Sequence, residues 1–133
     1  MTNLFCLLTL LLSATINPSK NQLTVEITNP KHKNGKMMIQ VLDPNQKAIQ
    51  SAVIDCVLPK TSWVSADLLA GKYVVKVFHD ENNNGKMDTK MFGIPKEGWG
   101  TSNNVKAQFG PPDFEKMIFD LQTSKKIQIE LNY

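Results

Sequence analysis

Apolar and polar side chains alternate with a period of two along much of this chain, and that rhythm restricts it to a fold of half-buried strands. Leu23, Val25 and Ile27 alternate with Thr24, Glu26 and Thr28, and Ile127, Ile129, Leu131 and Tyr133 with Gln128, Glu130 and Asn132. Met37, Ile39 and Val41 alternate with Met38, Gln40 and Leu42, and Tyr73, Val75 and Val77 with Val74, Lys76 and Phe78. The last of these is partly apolar on both faces, so it belongs centrally in a sheet. A further short strand places Val64, Ala66 and Leu68 on one face and Trp63, Ser65 and Asp67 on the other. No segment sustains a long apolar stripe at helical spacing.

Turn signals punctuate these runs at Asn34-Gly35, Asp43-Pro44-Asn45, Leu58-Pro59-Lys60, Ala70-Gly71 and Asn84-Gly85. The pattern predicts an all-β fold, an antiparallel sandwich of about seven strands, immunoglobulin-like or transthyretin-like. One stretch breaks the rhythm. Met91 to Asp113 carries Gly93, Pro95, Gly98, Gly100, Gly110, Pro111 and Pro112 with little alternation, which predicts a long loop region with room for one short strand. Loops of that length are often functional. Asp113 is placed to cap a single helical turn through Glu115 and Lys116. Met117, Ile118, Phe119 and Leu121 then return to the core.

A chain of 133 residues holds one domain with one core. Its net charge of +3 arises from scattered lysines without a basic run, so no nucleic-acid partner is expected. No charged side chain precedes Lys20, and the apolar run Leu4 to Leu12 ends in Ser13, Ala14 and Thr15. This reads as a signal peptide over residues 1–19, although Met1-Thr2-Asn3 lacks the usual lysine or arginine, and a buried first strand or helix is the alternative. The expected product is a secreted or periplasmic monomer of residues 20–133 without a membrane span, since the run falls short of the roughly 20 apolar residues a bilayer requires. Cys6 leaves with the signal. Cys56 then has no partner, and its apolar surroundings predict a buried, inert thiol.

Asp80, Asn82, Asn84 and Asp88 set oxygen-bearing side chains at the first, third, fifth and ninth positions of a calcium loop. Gly85 occupies the sixth, where such a loop turns sharply, and Lys86 would offer its backbone carbonyl at the seventh. Met91 stands where a bidentate glutamate would close the shell, leaving Glu97 or a loop carbonyl as substitute. The expected Ca2+ affinity is therefore weak, on the order of 10⁻⁴ to 10⁻³ M. The competing reading is a hydrogen-bonded Asn/Gly turn with no metal, because Asn and Asp tolerate left-handed backbone and bond their own main chain.

Beyond this loop, Trp99 stands between two glycines, near Glu97, Asn103 and Asn104. An aromatic plane beside amides can receive a sugar ring or a peptide, so these four residues are the candidate ligand contacts. Equally, Trp99 can cap the sandwich while the asparagines satisfy loop backbone. His32 and His79 lack a neighbouring cysteine or histidine at zinc-ligand spacing, and no zinc centre is expected. His79 reads as a strand-end histidine with one hydrogen bond, and Lys31 to Lys36 as a solvated hairpin turn. No serine lies in a nucleophile-elbow sequence.

The segments Leu68 to Tyr73, Val77 to Asp88, Phe92 to Gly100 and Phe109 to Phe114 together resemble a bacterial family of secreted proteins, domain of unknown function 2141. The resemblance implies an exported, single-domain sandwich in which the 80–88 loop and the Gly93-Ile94-Pro95-Lys96-Glu97-Gly98 segment recur together. The Leu69-Ala70-Gly71-Lys72-Tyr73 corner is also similar to that of transthyretin-like and carboxypeptidase regulatory-like modules, which commonly serve as structural or binding domains. The leading expectation is a non-enzymatic module that binds a glycan, peptide or envelope partner through the 80–104 surface. A hydrolase-like enzyme using His79, Asp80 and Glu97 is the alternative, and a purely structural envelope module is a third.

Overall fold

The computed structural model describes residues 13–133. Residues 1–12 of the segment expected to be a signal peptide, 1–19, lie outside the described residues, and no helix or strand precedes Lys20 within them. From there the described chain forms β1 (Lys20–Asn21), β2 (Leu23–Thr28), β3 (Lys36–Leu42), β4 (Ala48–Asp55), β5 (Lys60–Val64) and β6 (Leu68–Leu69). After these come β7 (Gly71–Asp80), β8 (Trp99–Thr101), helix α1 (Phe114–Met117), β9 (Phe119–Leu121) and β10 (Lys125–Glu130). The strand count exceeds seven because β1, β6, β8 and β9, of two or three residues each, are too short to show an alternation.

The larger sheet has the order β4-β3-β7-β8, with β9 also paired to β7, and the smaller has the order β10-β2-β5. β7 lies centrally, as its two apolar faces require. The inward residues of both sheets form one core: Leu23, Val25 and Ile27 from β2, Met37, Ile39 and Val41 from β3, Tyr73, Val75 and Val77 from β7. Leu121, Ile129 and Leu131 complete it, each almost wholly buried. The result is an all-β sandwich, antiparallel at every strand pair but one. β10 runs parallel to β2, with Lys125 opposite Leu23 and Glu130 opposite Thr28. Parallel neighbours need a long connection, and nearly the whole domain provides it here.

The strand expected through Leu68 ends at Val64. Ser65 turns inward, its Oγ accepting from Leu23 N–H at 2.9 Å and its own N–H donating to the Leu23 carbonyl at 2.8 Å. These bonds close the β2 edge and free Leu68 and Leu69 to pair with β1. Helix α1 forms where the sequence places it, with the Asp113 carboxylate accepting from Glu115 N–H at 3.1 Å. It packs Met117 on Val74 and Leu42, covering part of the outer face of the larger sheet. Among the described residues no helix is long and apolar enough to cross a membrane.

Candidate functional site

β7 ends at Asp80, and the chain then reverses through Asn83 and Gly85, both in left-handed backbone with φ of 57° and 77°. The buried Asp80 carboxylate accepts the Asn84 N–H at 3.2 Å and the Gly85 N–H at 2.8 Å. Asn82 and Asn84 each accept, through their side-chain oxygen, the N–H two residues on, at 3.3 and 3.1 Å. Their amide nitrogens both donate to Asp88. Those two bonds, from Asn84 first and Asn82 second, hold the Asp88 carboxyl below the ordinary aspartate range, and the charges of Lys86 and Lys96 add to the effect. Lys86 itself is exposed.

Glu97 is buried at 3% exposure, and its two oxygens accept the N–H groups of Glu81 at 3.0 Å and Asp88 at 3.1 Å. One carboxylate thus ties both ends of the 81–88 loop. Backbone bonds from Lys96 to Asp88 and from His79 to Gly98 lay the 96–98 segment alongside, which is how a residue nine positions downstream reaches the loop. Among the described residues neither Asp80 nor Glu97 takes part in an ion pair. Glu97 is thus committed to the backbone of the loop. Asn103 and Asn104 are also committed to the main chain: Asn103 donates to the carbonyls of Lys116 and Ile118 at 2.9 and 3.1 Å, and Asn104 pairs with Gln128 and Glu130 on β10.

Trp99 has a different setting. It lies opposite Phe78 across the β7–β8 pair, so both rings stand on the outer face of the larger sheet. There they line a groove of about 980 Å³ whose floor includes Met38, Gln40, Val53 and Lys76 and whose far wall is the 87–112 loop. That wall presents Phe92, Ile94 and Phe109, with Phe92 94% exposed and Phe109 fully so. Sequence reasoning placed a functional loop here but not its aromatic lip. The signal was present in Phe92 and Phe109, two large apolar residues inside a Gly/Pro segment that offers them no strand to pack in.

At the same end of the sandwich as the 80–88 loop, the fold assembles a second group that sequence spacing did not announce. The stretch Lys31 to Lys36, expected to be a solvated hairpin turn, carries His32 onto the end of β7. The His32 and His79 ring centroids lie 5.1 Å apart, and His32 Nε2 is 2.8 Å from a Glu81 oxygen. His79 is wholly buried and makes two contacts where one was expected, through Nε2 to the Asn34 carbonyl and through Nδ1 to the Tyr133 hydroxyl at 3.3 Å. Cys56 is buried beside them, its thiol donating to the His32 carbonyl at 3.3 Å, and burial pushes its pKa up. A protonated, shielded thiol is a poor nucleophile.

A family model described as an uncharacterized protein conserved in bacteria, domain of unknown function 2141, matches residues 25–129. No curated protein matches the chain, and no solved structure does.

Proposed function

We propose that this chain, which belongs to the bacterial family of domain of unknown function 2141, is an exported, non-enzymatic binding module that holds an apolar or amphipathic ligand on the outer face of its larger sheet. The observation that carries this reading is the groove under the 87–112 loop, with Phe78 and Trp99 inside it and Phe92 and Phe109 exposed at its lip. Contiguous apolar surface in a concave setting is what a ligand of this kind requires, and a volume near 1,000 Å³ is at the upper end of small-molecule sites. Lys76, half-buried on the groove floor, is the cation available to an anionic end of such a ligand. The non-enzymatic part rests on the candidate triad: His79, Asp80 and Glu97 are buried, and both carboxylates are committed to backbone N–H groups. Turnover of any substrate in a broad hydrolase panel, abolished by Glu97→Gln with the fold intact, would overturn that part.

Binding of the apolar anion anilinonaphthalene sulfonate tests the groove. The expected outcome is saturable binding by the parent protein and a loss of about tenfold or more in the double variant Phe92→Ser, Phe109→Ser, whose melting temperature should not change. Equal binding by the two proteins, or none by the parent, removes the groove as the site.

A second reading attaches to the 80–88 loop, because the side chains of Asn82 and Asn84 both reach Asp88. Turning each amide over would bring two carbonyl oxygens beside a carboxylate, a hard donor set suited to calcium. The ion would compete with the hydrogen bonds already in place, and Met91, 76% exposed, cannot complete its shell. Millimolar calcium is expected to raise the melting temperature by mass action. An unchanged melting temperature, with no metal bound, removes calcium from the loop.

A further inference from the structure

We propose that His32 and His79 bind a divalent transition metal of the zinc and copper class through their Nδ1 atoms, with Glu81 positioning His32 from its far nitrogen, at a site apart from the groove. One ring nitrogen of each histidine and one Glu81 carboxylate oxygen all lie within 4.8 Å of one another. Two imidazoles, with water completing the shell, form a borderline donor set, which suits zinc and copper and is a poor match for calcium or magnesium.

The hydrogen bonds decide which nitrogens carry lone pairs. His79 Nε2 faces the Asn34 carbonyl, which can only accept, so that nitrogen bears the proton and Nδ1 the lone pair. Tyr133 lies on the Nδ1 side, its hydroxyl able to donate. His32 Nε2 faces the Glu81 carboxylate, which likewise accepts, so its Nδ1 bears the lone pair. That Nδ1 is buried and has no hydrogen-bond partner among the described residues. A buried imidazole nitrogen left with nothing to accept is a cost, and a metal ion would remove it. Both rings are already held from the opposite nitrogen by a carbonyl or a carboxylate, the arrangement that orients metal-bound histidines.

The fold builds this cluster at identifiable expense. Gly35, with φ of 80°, lies so close to β7 that a Cβ on it would stand 2.0 Å from the Asp80 carbonyl oxygen. Only glycine lets the 29–35 segment press down and deliver His32 over His79. At the other side, a Cβ on Gly98 would meet the Tyr133 ring at 2.6 Å, so a second glycine admits the ring that borders the histidines. The His32 side chain is 41% exposed and that of Glu81 23%, so the cluster borders solvent.

The test uses the full chain, stripped with chelator and titrated calorimetrically with Zn2+ or Cu2+ alone. The expected result is a single equivalent bound, with copper showing nitrogen ligation by electron spin resonance. His32→Ala should weaken binding at least about tenfold, and Glu81→Gln, which keeps a hydrogen-bond acceptor but removes the charge, by roughly 10-fold to 100-fold. His32 is not part of the core, so His32→Ala should remain folded; if it does not, the spin-resonance signature of the parent protein decides the question. No binding at millimolar zinc or copper overturns the proposal. So does undiminished affinity in a folded His32→Ala protein, or a copper spectrum without nitrogen.

Discussion

Glu97 shows how much of this site rests on single residues. A buried carboxylate outside any ion pair among the described residues is tolerated because two backbone N–H groups, from Glu81 and Asp88, satisfy it. Removing it would strand both donors, each worth about 1–3 kcal/mol when left unpaired. Glu97→Ala is therefore expected to lower stability by roughly 2–5 kcal/mol in urea unfolding, and Glu97→Gln, which keeps one acceptor oxygen, by less. A Glu97→Ala protein as stable as its parent would mean that the carboxylate does not hold the loop. The composition of the loop was legible in the sequence, since Asp80, Asn82, Asn84 and Asp88 act on neighbours two to six residues away. The work of Glu97 was not, because its partners meet it only after β7 and β8 have paired.

Among the elements, the strands with one clearly buried face were readable from alternation: β2, β3, β7 and β10. β5 was misread at its end because Ser65, polar in sequence, is drawn inward by the Leu23 backbone. The smaller sheet also carries a charge device visible only in the fold. Glu26 on β2 stands between Lys60 on β5 and Lys126 on β10, with 3.1 Å to each. Its hydrogen bonds to Lys60 first and Lys126 second hold its carboxyl below the ordinary glutamate range. A carboxylate whose pKa is lowered by folding adds stability above its unfolded value and loses it as pH falls through the lower, folded value. Melting temperatures of the parent and of Glu26→Gln should therefore differ at neutral pH and converge as the medium is acidified below the ordinary glutamate range. A constant gap would assign the difference to packing instead, and added salt should narrow it because these groups face solvent.

For the whole molecule, the sandwich and its loop-rich end follow from local pattern, whereas the features of most chemical interest come from joining distant segments. His32 and Glu81 meet only because the whole of β3 pairs with β7, with Lys36 opposite Asp80. The groove exists only because the 87–112 loop lies over the sheet face that Phe78 and Trp99 share. Neither is written in residue spacing. The parallel pairing of β2 with β10 carries this furthest. A strand from the beginning of the domain waits for one from its end, and joining them requires closing a loop of about a hundred residues, a large entropic step that gains nothing until the last partner arrives. A chain emerging from a ribosome would thus leave that edge of β2 without its partner until almost all of the domain had been made.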